Sequence, residues 1–269
     1  MSFNIDDLLE NYKNGSHESQ NLYDACKEFQ RFENCKVFFG CSSELLSDKT
    51  NEMIFYLIVN KMVNVMVVNV DFIIYQMLYP QNLHKEQDEN LKISFLRTRI
   101  EYIQKNLGDR KHFCISDIIH EIGMILKDNC KFLHIAAQNN ISIYVPDFCD
   151  SHFGMLFKGI IIDQLNDCKK LNRECFFIKN TAAVILGTSN IKHAILNANL
   201  FKNGLNSCII VNSCNEMDCS DSGANIDEAV SWGKIIPDSS SIKIRSDPSL
   251  VFPILWHAWI KTFEKNLEK

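Results

Sequence analysis

Between Asn212 and Gly223 the chain reads NSCNEMDCSDSG, which puts three acids, Glu216, Asp218 and Asp221, inside six residues; Asp227 and Glu228 follow. Carboxylates crowded in this way repel one another unless a cation or hydrogen-bond donors offset them. A polyamine would do so, as would the paired hydroxyls of a ribose, and so would water around a plain solvated loop. Immediately downstream lies Glu228-Ala229-Val230-Ser231-Trp232-Gly233-Lys234. A lysine becomes a nucleophile when it is desolvated or crowded, because either lowers its pKa. Trp232 would supply an apolar or cation–π wall beside it; the plainer alternative is a surface lysine next to a buried tryptophan. His193 falls where a strand end meets a helix start and is a candidate acid or base, although capping or packing would also place a histidine there. No EF-hand or other metal-ligand spacing is present.

The elements that must position these groups follow from hydrophobic periodicity. Residues 1–34 are polar with helical spacing of Leu8, Leu9, Tyr12, then Leu22, Cys26 and Phe29, broken at Asn14-Gly15-Ser16. A short strand at Val37-Phe38-Phe39 ends on Gly40, a helix is expected from Asn51 to Lys61, and a buried strand from Val63 to Val68. A helix then runs to Tyr79 and stops at Pro80, whereas residues 81–115 are charged and weakly periodic. Ser116 is expected to cap a helix over Asp117 to Lys127, followed by a helix from Lys131 to Asn139 and a strand from Ile141 to Val145. The alternation continues with helix Met155 to Leu171, strands Cys175 to Ile178 and Ala183 to Leu186, and helix Ile191 to Lys202. Strand Ser207 to Val211, the segment Asp227 to Lys234, strand Ile242 to Arg245 and a helix after Pro248 complete it.

Apolar strands alternating with helices predict an α/β fold, doubly wound and Rossmann-like, with a mostly parallel sheet and helices on both faces. The expected organisation is a helical segment over 1–35 and one domain over 36–269. Ligands of such sheets bind outside the carboxyl ends of the strands. Those ends deliver Ser42, Ser43 and Ser47, then Asp150, Gly187-Thr188-Ser189 with His193, the 212–223 loop, and Asp247.

Bulk properties narrow the classes. The chain has 269 residues, 46% hydrophobic and 23% charged, an ordinary globular composition with room for a sizeable core. Its net charge of −5 argues against nucleic acid or anionic lipid as a partner. No apolar run reaches the ~18 residues of a membrane span; Val63 to Leu78 is broken by Asn64, Asn69, Asp71 and Gln76. Eleven cysteines without a CxxC pair read as reduced thiols used as small hydrophobes, with no structural zinc site. MSFNIDDLLENYK carries acids early and no apolar signal core, so a cytoplasmic location is expected.

Together these segments resemble the deoxyhypusine synthase family. That family carries a block close to EFDGSDSGA…DEAVSWGKI, and here stand Glu216 to Ala224 and then Asp227 to Ile235. Lys192 to Leu200, KHAILNANL, is similar to the family's KHHIANANL; Ser249 to Pro253 matches its SLVFP, and Phe39 to Leu45 parallels FLGYTSNL. The resemblance is dense over about 140–255 and thinner over 37–79. It implies an NAD-dependent transferase: NAD takes hydride from spermidine, the active-site lysine captures the aminobutyl group as an imine, and the group passes to one lysine of translation initiation factor 5A, where it is reduced. Carried over residue by residue, Lys234 is the nucleophile and His193 the acid/base. Asp221, Glu228, Trp232 and Ser220 line the spermidine slot, and Ser43, Ser47, Asp150, Ser213, Asp218, Ser222 and Asp247 face NAD.

The departures fall mostly on one side. The family's glycine-rich TTAGGVEED loop is replaced by Val67-Val68-Asn69-Val70-Asp71-Phe72-Ile73-Ile74, and backbone that approaches a cofactor closely needs glycine. The triple glycine has become Gly187-Thr188-Ser189. LTDGSLGD has become Phe148 to Met155, so a polyamine-binding aspartate is now a methionine. Family members are tetramers with sites between subunits. The expectation is therefore a subunit of a composite homo- or hetero-tetramer with a deoxyhypusine synthase paralogue, weak or inactive alone. The alternatives are an autonomous divergent synthase and a degenerate paralogue (a pseudoenzyme) without NAD or spermidine turnover.

Overall fold

A computed structural model describes residues 5–109, 111–187, 189–218 and 220–267. In chain order the first elements are α1 (Ile5–Tyr12), α2 (His17–Glu28), β1 (Lys36–Cys41), α3 (Asp48–Val59), β2 (Val65–Val68), α4 (Val70–Leu78), α5 (Glu89–Asn106), β3 (His112–Phe113), α6 (Ile115–Leu126) and α7 (Lys131–Gln138). There follow β4 (Ser142–Tyr144), β5 (Ile161–Ile162), α8 (Gln164–Arg173), β6 (Thr181–Leu186), α9 (Ser189–Leu200), β7 (Ser207–Asn212), α10 (Ile226–Ser231), β8 (Ile242–Arg245) and α11 (Pro248–Leu267). The fold is α/β with mostly parallel pairing, and the chain divides into two compact units, Met1–Gly40 with Cys175–Lys269, and Cys41–Glu174.

In the first unit the strand order is β1-β6-β7-β8, with β7 parallel to both β6 and β8. Every residue of β6 and β7 is buried, which is why both read as unbroken apolar runs rather than alternating ones. Beside them Phe29 stacks on Trp259 at 4.9 Å between ring centroids, and Phe32 meets the same indole edge-on at 5.8 Å. The buried Glu28 accepts hydrogen bonds from the hydroxyls of Ser207 and Ser240, each at 2.7 Å. The N-terminal helix α2 is therefore part of this core.

In the second unit β2 pairs in parallel with β4, and β3 with β5. Its core is aliphatic and aromatic, with Ile54, Leu57, Phe72, Ile73 and Phe148 fully buried. Three expectations are corrected here and at the border of the first unit, and residues 81–115, to which periodicity assigns no element, contain a helix. The weakly periodic residues 81–115 contain the 18-residue α5, capped by Asp88, which accepts from Asn90 N and Leu91 N. Only Leu96, Ile100 and Ile103 of it are buried, a stripe too narrow to stand out from its charges. Ser116 does not cap α6; it sits in the first turn and donates from Oγ and from N to Asp167. No helix spans 155–171, because Gly159 adopts φ 71° and Ile161 and Ile162 pair with β3 before α8 begins. Cys175 to Ile178 is a turn, closed by Ile178 N donating to Cys175 O, with Phe177 at φ 64°. No helix among the described residues is long and apolar enough to cross a membrane.

Candidate active site

A small cleft of about 20 Å³ lies in the first unit, where α9, the loop after β7 and the end of α10 converge. Lys192, His193, Asp221, Glu228, Trp232 and Lys234 all line it. Helix α9 brings its first turns to the end of β6, as sequence spacing requires of a crossover helix. His193 Nδ1 lies 3.2 Å from Asp221 Oδ2, and its Nε2 lies 2.7 Å from Asn197 Nδ2, one helical turn on. With the Asn197 amide donating, Nε2 accepts and Nδ1–H points at Asp221, so both ring nitrogens are engaged. The pair is about half exposed and adds little to stability; its effect is to orient the imidazole.

Lys234 is placed by the way α10 ends. Trp232 N donates to Glu228 O, Gly233 N to Val230 O and Lys234 N to Ala229 O, closing the last carbonyls of the helix. Gly233 adopts φ 71°, a left-handed cap that a side chain resists. The reversal lets Lys234 O accept from Leu205 N and leaves its side chain half-buried on the cleft. Trp232 is 66% exposed, so the reading of a surface lysine beside a buried tryptophan is overturned: the lysine is the more sheltered of the two, and the indole stands out as an open wall. Asp221 and Glu228 are exposed carboxylates on the same cleft.

The acid-rich loop is held by groups that sequence inspection did not single out. Lys192 is 3% exposed, and its ammonium donates to Asp221 O at 2.6 Å and Ala224 O at 3.0 Å. Asn212 Nδ2 donates to Ser222 O at 3.2 Å, and Lys243 Nζ to Gly223 O. Four consecutive carbonyls, 221 to 224, thus each meet a side-chain donor. Gly223 is required by close approach: a Cβ there would lie 2.1 Å from Asn215 O. Burial, with the nearby Lys243 charge, pushes the Lys192 ammonium below the usual lysine range. Its sequence signal was adjacency to His193 in KHAILNANL.

The remaining expected residues are distributed as follows. Ser220 is exposed and its Oγ accepts from Gly223 N at 3.4 Å, a turn contact beside the cleft. Ser213 is exposed just beyond β7, and Ser222 is half-buried. The side chain of Asp218 lies outside the described residues, as does Thr188. Asp247 accepts from Ser249 N at 2.8 Å at the start of α11, and that backbone hydrogen bond holds its carboxyl below the usual range. Among the described residues no cluster of three or more His, Cys, Asp or Glu is placed to hold a metal ion.

Ser43 and Asp150 lie in the second unit, on a cavity of about 720 Å³ that is also lined by Asp71, Asp147 and Phe153. Ser43 is tied to Asn69: its N donates to Asn69 Oδ1 at 3.0 Å and its Oγ accepts from Asn69 Nδ2 at 2.9 Å. Ser47 caps α3 in a reciprocal box with Thr50. Met155 is 74% exposed.

The deoxyhypusine synthase family model matches residues 7–92 and 73–259. A deoxyhypusine synthase from Encephalitozoon cuniculi is 31% identical over 296 residues, covering 97% of this chain and 88% of that protein. The chain belongs to the deoxyhypusine synthase family. A deoxyhypusine synthase from Musa acuminata is 30% identical over 289 residues, covering 94% of this chain and 75% of its own. A crystal structure assigned to this family, from Entamoeba histolytica, superposes with a TM-score of 0.72 at 18% identity, covering 97% of this chain and 94% of that one. The fold of that structure is thus present here, and Asp221, Glu228, Trp232 and Lys234 share one cleft.

Proposed function

We propose that this chain is one subunit of a composite deoxyhypusine synthase, acting in the cytoplasm within a homo- or hetero-tetramer. The reaction is transfer of the aminobutyl group of spermidine to a lysine of translation initiation factor 5A. Residues 36–269 act as the synthase-like domain, with the helical segment 1–35 contributing α2 to its core. The observation that carries the reading is the convergence of Lys234, His193, Asp221, Glu228 and Trp232 on one cleft. Asp221 and Glu228 would meet the ammonium groups of a polyamine, and the exposed face of Trp232 its methylenes. Lys234 attacks the carbon of an imine formed on the polyamine; a new C–N bond forms as the old one breaks and diaminopropane leaves with its electron pair. The lysine of the protein substrate then displaces Lys234 in the same way. His193, fixed by Asp221 and Asn197, takes and returns the protons of these steps.

NAD, when bound, supplies hydride uptake from the polyamine and its return to the final imine. The second unit does not fit the pyrophosphate of such a cofactor. At the start of α4, Asn69 accepts from Phe72 N and Ser43 N, and Asp147 from Val70 N at 3.0 Å, so these donors are occupied. Asp71, Asp147 and Asp150 on the same cavity add negative charge where a dianion would sit. Ser43 and Asp150, with Ser47, Ser213, Asp218, Ser222 and Asp247, are thus assigned at most ribose or nicotinamide contacts, and a complete partner subunit supplies the phosphate cradle.

The test is aminobutyl transfer by the purified chain alone, and by the chain mixed with a full-length family subunit. Activity that rises on mixing and falls when Lys234→Ala replaces the chain supports the composite reading; full activity of the chain alone refutes it. The occupied donors of α4 favour a second reading, a catalytically degenerate regulatory paralogue. It predicts subunit binding without NAD or spermidine affinity, and no effect of Lys234→Ala.

A further inference from the structure

The geometry points to Lys192 as a positioning residue: through the carbonyls of Asp221 and Ala224 it sets the carboxylate of Asp221 against the imidazole of His193. The inference rests on the proposed role of that pair but concerns its construction. An ammonium at 3% exposure is placed against its own hydration. It also lies in the first turns of α9, the positive end of the helix dipole, with Lys243 as a second nearby cation. A methionine would fill the same space without either penalty. What only a donor with several N–H groups provides is the two-carbonyl contact at 2.6 and 3.0 Å.

That contact brackets the residue that matters. Asp221 O and Ala224 O stand at the two ends of the turn, and the turn closes internally by Gly223 N and Ala224 N both donating to Ser220 O. Asn212 and Lys243 hold the carbonyls between. Because Lys192 and His193 are consecutive on α9, one helix carries both the anchor of the loop and the partner of its carboxylate. A shift of α9 therefore moves both together, and the 3.2 Å contact between His193 and Asp221 is preserved. Lys192 touches neither end of the transferred group in this scheme; it acts through Asp221.

The experiment is NMR of the His193 ring in the full chain at one fixed pH, reading the nitrogen shifts of Nδ1 and Nε2 in wild type, Asp221→Ala, Lys192→Met and Lys192→Arg, with thermal melts to establish folding. Asp221→Ala removes the partner of Nδ1 and is expected to move the Nδ1 shift. Lys192→Met is expected to move it in the same direction by at least half as much, with Lys192→Arg restoring most of the difference. A folded Lys192→Met with the wild-type Nδ1 shift overturns the proposal and leaves Lys192 a structural residue. If Lys192→Met does not fold, Lys192→Gln, too short to span both carbonyls, is expected to move the same shift, and a wild-type value there overturns the proposal. The readout needs no turnover, so failure of the synthase reading would show separately, as absence of a Lys234 adduct with the ring shifts of the variants intact.

Discussion

Two loops follow buried parallel strands in this chain and meet opposite fates. After β7, in the first unit, the backbone of the 220–225 turn is satisfied by Lys192, Asn212 and Lys243, which leaves the carboxylates of Asp221 and Glu228 facing the cleft. After β2, in the second unit, the chain enters α4 within two residues, and the side chains there satisfy the chain itself. Asn69 and Asp147 occupy the first amides of the helix, while Phe72 and Ile73 go fully into the core. Functional groups stay available where other residues hold the backbone, and they are consumed where a loop becomes a capped helix.

Substitutions can break or sharpen that contrast. The largest stability effect is expected from Phe72→Ala: if α4 is core rather than a cofactor cradle, denaturant unfolding should show a loss of about 3–5 kcal/mol. A loss under about 1 kcal/mol would mean that this face opens. Asn69→Ala removes the α4 cap and both contacts to Ser43, and should lower stability by about 1–2 kcal/mol in the same assay. Asp147 supplies the pH dependence. Burial pushes its carboxyl above the usual range, so the folded state keeps a proton that the unfolded chain has lost. Its contribution is present below the ordinary aspartate range and is lost as pH rises through the raised value. Asp147→Asn keeps an acceptor for Val70 N, and should flatten that fall in melting temperature measured across mildly acidic pH. At the other extreme, Trp232→Ala in the first unit should change stability by less than about 0.5 kcal/mol, since the indole is 66% exposed, while weakening polyamine binding by the assembled enzyme.

Much of the first unit was legible in the sequence. β6 and β7 are continuous apolar runs, and Gly233 followed by Lys234 marks a helix end that turns the chain back. The contacts of His193 were not legible, because Asp221 and Asn197 reach it from 28 residues away and from the next turn. Lys192 was hidden for a different reason: lysine is presumed to be at the surface, and only the carbonyls facing it reveal why it is not. In the second unit α5 is hard to read because three buried residues in eighteen give almost no period, and the apolar spacing over 155–171 imitates a helix that Gly159 breaks. The cap at Asn69 was hidden because it involves Ser43, 26 residues earlier.

The central claim is that Lys234 carries the transferred group within an assembly that this chain cannot complete alone. Borohydride trapping with NAD and spermidine, followed by peptide mass spectrometry, addresses it directly. The account predicts an aminobutyl adduct on Lys234 when a full-length family subunit is present, and little or none on the isolated chain. An adduct formed only on the other subunit's lysine, or one formed equally well by this chain alone, would contradict it.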